Sequence, residues 1–363
     1  MASVTITNVW KYYGKTVAVK DLNITCNDGE FVSVLGPSGC GKSSTLRMLA
    51  GLEHISAGDI HFGDKRVNDL EPKDRDIAMV FENYALYPHK TVYENMANPL
   101  RLRNESEDTI KKRIAFAADM LEIEHLLQRK PMELSGGQKQ RTAIGRAIVR
   151  EPKLFLFDEP IAHLDAKLRA RMRGELKIMQ RRLGTTMIYV THDQLEAMSM
   201  ADRIAVMNNG VLQQFGTPQE IYNHPVNEWV AGFVGEPPMN FIDCDIVDEG
   251  GTLYAVHSSF KVPVPDVQKG RLIGSLQNKS VRMGIRPDQI SISTSSGGIV
   301  SGHIKITEPL GGDTLVDVDL KGADHVLVKT NPDFHGEMNQ ACSMTFDTSR
   351  WHFFSKETGV AFF

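Results

Sequence analysis

The eight residues Gly36-Pro37-Ser38-Gly39-Cys40-Gly41-Lys42-Ser43 constrain this chain more than any other stretch. They follow the dense apolar run EFVSVL and open into STLRMLAGL, whose apolar spacing is helical. A strand, a glycine-rich turn of the pattern GxxxxGK[ST] and a helix together form a phosphate cradle. The glycines let backbone N–H groups curl around phosphate oxygens, and the helix start adds its dipole. Lys42 is expected to reach the β- and γ-phosphates and Ser43 to ligate Mg²⁺. The expected ATP cradle is thus Gly36, Pro37, Ser38, Gly39, Cys40, Gly41, Lys42, Ser43 and Ser44.

Such a loop needs a parallel α/β core, and the surrounding text supplies one. SVTITNV alternates apolar and polar residues as a half-buried strand does. DIAMVF, KLFLFDEP and TMIYVTHD are further short strands. From about Glu94 to Arg150 the sequence turns helical, most clearly in TIKKRIAFAADMLEI, and ELKIMQRRL is helical again. RIAVMNNGVLQQFG reads as a hairpin turning at Asn208-Asn209-Gly210. Buried strands alternating with helices imply a mostly parallel sheet. Past Gly235-Glu236-Pro237-Pro238 the style changes. RMGIRP, DQISIS, GHIKI, TLVDVDL and HVLVKT are short strand-like runs separated by turn residues, as in a small barrel-like all-β unit. A length of 363 residues suits two or three domains.

Bulk properties exclude some classes. With 41 basic and 45 acidic residues the net charge is −4, so there is no global basic footprint for nucleic acid. Cys26, Cys40, Cys244 and Cys342 show no ligand spacing, and a reducing compartment is expected. The start MASVTITNVW does not read as a secretory leader. No run of about 18 apolar residues is present, so any membrane role is expected to come through a partner.

A P-loop alone is compatible with a kinase, a GTPase or a motor. Asp158-Glu159 narrows the choice, because these carboxylates emerge at the C-terminal end of the buried strand LFLF, where open α/β sheets bind ligands. Asp158 is expected to hold Mg²⁺ through water and Glu159 to act as general base on the attacking water. Without the P-loop, the pair would read as a solvent-facing strand end. The segment Leu134-Ser135-Gly136-Gly137-Gln138 is a second helix start suited to an anion. Simple capping explains Ser135 and one glycine, but not a second phosphate-binding helix start.

LSGGQ resembles the signature of the ABC (ATP-binding cassette) transporter ATPases. The order P-loop, signature, Asp-Glu strand and His192 matches the whole cassette over residues 3–235. The resemblance implies two cassettes sandwiching two ATP molecules head to tail. Ser135, Gly136, Gly137 and Gln138 of one subunit would then cap the γ-phosphate held by the other. It also implies Tyr13 against adenine, His192 as the switch histidine touching the γ-phosphate and the general base, and Asp165 in the loop that communicates between cassettes. Taken alone, Tyr13 could be an aromatic packed at a strand end, and His192 a structural histidine.

PKDRDIAMVFENYALYPHKTVYENM, GEPPMNF, GIRPDQI and TEPLGGDTLV are similar to the maltose-type importer ATPases with appended OB-like domains. The organisation implied is a cassette over 1–235, with a helical subdomain at about 88–150, and an OB-like regulatory domain over 236–363. Tyr84-Ala85-Leu86-Tyr87-Pro88 would dock two membrane-spanning permease subunits at the cytoplasmic face of the inner membrane. An extracytoplasmic solute-binding protein would deliver a carbohydrate or related polar solute. Without the resemblance these five residues are an exposed aromatic patch. Two positions depart from the pattern: Glu82 stands where the family has glutamine, and Ala162-His163 replaces Ser-Asn or Ser-Ala. Glu82 would offer the metal an anionic oxygen beside the attacking water, at both a metal and a catalytic position. A soluble ABC ATPase acting on ribosomes or DNA is disfavoured by the single cassette, the absence of heptads and the negative charge. A P-loop kinase has no use for LSGGQ.

Overall fold

A computed structural model describes residues 2–265, 280–295, 297–321 and 324–362. The chain divides into two compact units, Met1–Pro218 and Gln219–Phe363.

The first unit opens with strands β1 (Val4–Tyr13) and β2 (Thr16–Cys26), followed by β3 (Phe31–Leu35) and helix α1 (Lys42–Ala50). Next come β4 (Ala57–Phe62), β5 (Lys65–Arg66) and β6 (Ile77–Val80). Three helices follow: α2 (Val92–Arg101), α3 (Glu107–Met120) and α4 (Gly136–Ile148). The unit continues with β7 (Leu154–Asp158), α5 (Ala166–Leu183), β8 (Thr186–Thr191), α6 (Gln194–Met200), β9 (Arg203–Asn208) and β10 (Val211–Gly216).

Six of these strands make one sheet in the order β10-β9-β3-β8-β7-β6. All neighbours are parallel except the edge pair β9–β10. The inner strands β3 and β8 are buried along their whole length, which is why they read as continuous apolar runs. The β9–β10 turn is Asn209-Gly210, both at positive φ, the geometry that two-residue hairpins favour. A smaller antiparallel sheet, β2-β1-β4-β5, packs its apolar residues Val4, Ile6, Val19 and Leu22 into one core with Val32, Val34, Leu46 and Leu49.

The helices α2, α3 and α4 pack on one another through Met96, Leu100, Ile114, Ala117 and Ile144, all buried. Their starts are capped locally. Thr91 and Ser135 each form a reciprocal box with a side chain three residues on, and Ser106 accepts from the Thr109 N–H. Each such cap contributes about 1 kcal/mol.

The second unit starts with the short helices α7 (Pro218–Asn223) and α8 (Glu228–Phe233). Ten strands follow: β11 (Asn240–Glu249), β12 (Thr252–His257), β13 (Phe260–Pro263), β14 (Ser280–Ile285), β15 (Ile290–Ser293), β16 (Val300–Pro309), β17 (Thr314–Asp319), β18 (His325–Thr330), β19 (Ala341–Phe346) and β20 (His352–Phe354). They form two five-stranded antiparallel sheets, β13-β12-β11-β14-β20 and β15-β19-β16-β17-β18, around a shared core. Asn240 ties the sheets together: its amide accepts from Leu327 N at 2.8 Å and donates to Leu327 O at 2.7 Å.

The division falls at the first residue of α7, earlier than the change of sequence style at Gly235. The reason is Arg286, buried just after β14. Its Nη1 donates to Val234 O and its Nη2 to Tyr222 O, each at 2.7 Å, and its guanidinium lies 3.7 Å from the centre of the Tyr222 ring. Two helices that read as part of the preceding text are thereby held by the β unit.

Candidate active site

The loop at 36–43 runs from the C-terminal end of β3 into α1, which lies against β7 and β8. Gly41 caps α1 at φ 101°, and a Cβ there would stand 2.5 Å from Ala18 O, so no other residue fits. Because glycine has no side-chain acceptor, the first-turn N–H donors of α1 stay available for an anion. Lys42 is buried, and its Nζ donates to Gly36 O at 2.8 Å and Pro37 O at 3.0 Å. Two of its three protons therefore hold the loop closed on itself. Cys40 is buried within the loop, and that burial pushes its thiol pKa up.

Asp158 ends β7 beside this loop. Ser43 Oγ lies 3.3 Å from Asp158 Oδ1. Burial, then the charge of Glu159, push the Asp158 carboxyl above the usual range, against the Ser43 hydrogen bond that lowers it. Glu159 adopts φ 44°, a left-handed conformation rare for a residue other than glycine. Its N–H donates to Val190 O at 3.0 Å, which helps hold the strained turn. Such strain costs about 1–3 kcal/mol and concentrates at functional sites. Its carboxylate Oε2 stands 2.7 Å from His192 Nδ1.

His192 is placed from behind by residues that the sequence pattern did not single out. Glu196 is buried and accepts from Tyr189 Oη at 2.8 Å and Thr191 Oγ1 at 2.7 Å. Thr191 Oγ1 in turn accepts from Asp193 N at 2.9 Å. Asp193 caps α6 and receives Arg169 Nη1 at 3.2 Å. No motif in the sequence marked them: Glu196 and Asp193 fold back on β8 and its following loop, and Arg169 reaches Asp193 from α5.

Tyr13 lies at the end of β1, half exposed. Its hydroxyl donates to Glu53 and meets Ser44 Oγ at 3.3 Å. Glu53 also pairs with Lys11 at 3.3 Å and Arg47 at 3.5 Å, so it organises this edge of the site without having been expected. Glu82, in the loop after β6, pairs with His163 Nε2 at 3.2 Å. Thus the P-loop, Tyr13, Asp158, Glu159 and His192 converge on the C-terminal edge of the parallel sheet.

The residues at 135–138 do not join this set by hydrogen bonds. Ser135 caps α4: its Oγ accepts from Gln138 N at 3.4 Å, while Gln138 Oε1 accepts from Ser135 N at 3.0 Å. The Ser135 hydroxyl proton remains to donate. A Cβ on Gly137 would stand 2.7 Å from Leu168, so this glycine lets α4 approach the start of α5. Asp165 caps α5, accepting from Leu168 N at 2.9 Å. Among the described residues, no hydrogen bond connects 135–138 with 36–43.

No helix of the described residues is long and apolar enough to cross a membrane. Nor do three His, Cys, Asp or Glu side chains among them converge as a metal cage.

Three family models match the chain: ABC transporter over residues 19–162, MalK OB fold domain over 235–290 and TOBE domain over 283–354. The trehalose/maltose import ATP-binding protein MalK of Thermococcus litoralis is 47% identical, over 100% of both chains. The sn-glycerol-3-phosphate import ATP-binding protein UgpC of Ruegeria pomeroyi is 47% identical over 99% of each, and so is the sulfoquinovosyl glycerol transport ATP-binding protein SmoE of Agrobacterium fabrum. Among solved structures, the dimeric ATP-binding cassette MJ0796 in a post-hydrolysis state with ADP and Pi superposes with a TM-score of 0.54 at 33% identity. It covers 59% of this chain and 98% of its own. Full-length identity at this level, on a fold that carries both the P-loop cassette and the appended β unit, assigns the chain to the ABC transporter family as an ATP-binding and ATP-hydrolysing subunit of the importer type.

Proposed function

We propose that this chain powers uptake of a polyhydroxylated solute by hydrolysing Mg²⁺-ATP at the edge of the parallel sheet, as one of two identical subunits. The observation that carries this reading is the convergence of Lys42, Ser43, Asp158 and the Glu159–His192 pair at 2.7 Å. The donors suit the metal. Ser43 Oγ and Asp158 are hard oxygen ligands, and Mg²⁺ is characteristically held by one or two carboxylates plus substrate phosphates rather than by a protein cage. Bound there, Mg²⁺ would offset charge on the β- and γ-phosphates. Glu82 is a further oxygen on that side.

The chain's own groups then divide the work. Lys42 and the first-turn N–H groups of α1 bind the polyphosphate. Tyr13 presents a ring face for adenine. Glu159 takes the proton of the attacking water, and His192, bonded to it, keeps its carboxylate aimed. Ser135, with its free hydroxyl proton, and the N–H groups of Gly136 and Gly137 serve the nucleotide of the partner subunit, with Asp165 beside them. The separation of 135–138 from the P-loop within one chain and the dimeric cassette among solved structures support this division.

Docking of two permease subunits falls to the loop at 84–88. There Tyr84, Leu86, Pro88, Pro131, Met132 and Lys139 line a recess of about 230 Å³. Asn95, buried at 0% exposure, clamps its rim: it accepts from Tyr87 N and donates to Tyr87 O, Lys90 O and Thr91 O. Met132 is 87% exposed beside it, an apolar side chain without cover. The chain would then sit at the cytoplasmic face of the membrane, held by its permeases and served by an extracytoplasmic solute-binding protein. The named solutes of the relatives, trehalose/maltose, sn-glycerol-3-phosphate and sulfoquinovosyl glycerol, all carry two or more hydroxyls and support that solute class.

Affinity purification from its own cells tests this. Two polytopic membrane proteins should accompany the chain, and ATP turnover of the assembly should rise with a binding protein and its polyol. Recovery with ribosomes instead, and no permease, would refute the reading.

A further inference from the structure

We propose that His163 is a positioning residue of the nucleotide site: its Nε2 holds one oxygen of the Glu82 carboxylate, so that Glu82 turns its other oxygen to the metal side and stays off the polyphosphate. This rests on the reading of Ser43, Asp158 and Glu82 as the metal side of the site.

The two residues come from different loops, one after β6 and one after β7, and their side chains meet at 3.2 Å. Each loop is anchored by its own guanidinium. Arg146 of α4 donates to Ala85 O at 2.6 Å and Tyr84 O at 3.0 Å. Arg169 of α5 donates to Leu164 O at 3.1 Å and Ala162 O at 3.4 Å, on either side of His163. The backbones are therefore fixed independently, and the side-chain contact bridges them.

Stability gives no reason for the pair. Its side chains are 62% and 52% exposed, and exposed pairs contribute about 0–1 kcal/mol. Charge does give one. Asp158, Glu159 and Glu82 put three carboxylates at one sheet edge. The Asp158 carboxyl, raised first by burial and then by Glu159, is raised also by Glu82. A third carboxylate facing a polyphosphate repels it unless a donor meets that charge. The imidazole Nε2, 3.2 Å from Glu82 Oε1, is placed to meet that charge and leaves the other carboxylate oxygen free, the polarity that an amide would present.

The test is equilibrium binding of a fluorescent ATP analogue to the full chain across a Mg²⁺ titration at fixed pH. His163→Ala should weaken Mg²⁺-free affinity at least threefold and move the Mg²⁺ midpoint at least threefold. His163→Gln, which keeps a donor at the same reach, should return both to within twofold of wild type. In a Glu82→Gln background, His163→Ala should change neither by more than about 1.5-fold. An equal effect of His163→Ala in both backgrounds, or none in the parent, overturns the proposal. A common melting midpoint for these exposed substitutions shows that folding is not what is being read. Lys42→Ala separates the two levels of argument. If it weakens binding tenfold or more while the His163 and Glu82 effects add, the site reading stands and the pair falls. If neither Lys42→Ala nor Mg²⁺ alters binding, both fall.

Discussion

Lys42→Ala tests the site through a quantity that the geometry limits. The ammonium has three protons. Two are committed to Gly36 O at 2.8 Å and Pro37 O at 3.0 Å, which leaves one for a phosphate oxygen. A hydrogen bond to a charged group contributes about 1.5–3 kcal/mol. At 1.36 kcal/mol per factor of ten, losing that one bond should weaken ATP binding roughly 10- to 150-fold. The substitution also leaves the Gly36 and Pro37 carbonyls without their donor, so the nucleotide-free protein should melt lower. The assay is equilibrium titration of wild type and variant with an ATP analogue, alongside melting curves without nucleotide. An affinity within threefold of wild type would refute the assignment of Lys42 to the phosphates. A loss well above 150-fold would mean that Lys42 releases the loop carbonyls when ATP arrives, and the donor count would then be wrong.

Glu159→Gln should retain ATP affinity but lower turnover by roughly 10²–10⁴, because the amide keeps the contact with His192 and cannot accept the water's proton; single-turnover kinetics with a fall of less than tenfold would place the base elsewhere. Asp158 has its carboxyl raised by burial, so the folded chain holds more protons than the unfolded one across the carboxylate range, and this group's contribution to stability falls as pH rises from the ordinary aspartate value through the raised one. Asp158→Asn should therefore melt higher than wild type at neutral pH without nucleotide, with the gap closing below about pH 4, where both forms are neutral; a gap that widens on acidification would contradict the sign. Arg286→Met removes two hydrogen bonds, to the buried carbonyl of Val234 and the part-buried carbonyl of Tyr222, at about 1–3 kcal/mol each, so the Gln219–Phe363 unit should lose about 2–6 kcal/mol in urea denaturation. A loss below about 1 kcal/mol would mean that water reaches those carbonyls.

Much of this protein was written in short-range pattern. The P-loop, the Asp158-Glu159 strand end and the Asn209-Gly210 hairpin each depend on a few adjacent residues whose backbone geometry admits little alternative. Continuous burial of β3 and β8 made their apolar runs legible, and Ser135 with its glycines marked the start of α4. These signals were enough for the α/β class, the β unit behind it and the nucleotide edge.

What the tertiary structure alone decided lies in side-chain contacts that no motif along the chain announces. Glu196 behind His192, Glu53 under Tyr13, Asn95 clamping the 84–88 loop and Arg286 claiming α7 and α8 all look like ordinary polar residues when read in order. Glu82 and His163 stood out in sequence only as two separate departures. Folding made them partners, because the parallel sheet brings the ends of β6 and β7 side by side while the chain between them travels through the three helices. A motif is local, since its geometry is set by neighbouring backbone. The neutralisation of a charge or the satisfaction of a buried carbonyl depends on whatever the fold delivers within about 3 Å, and no spacing along the chain records that.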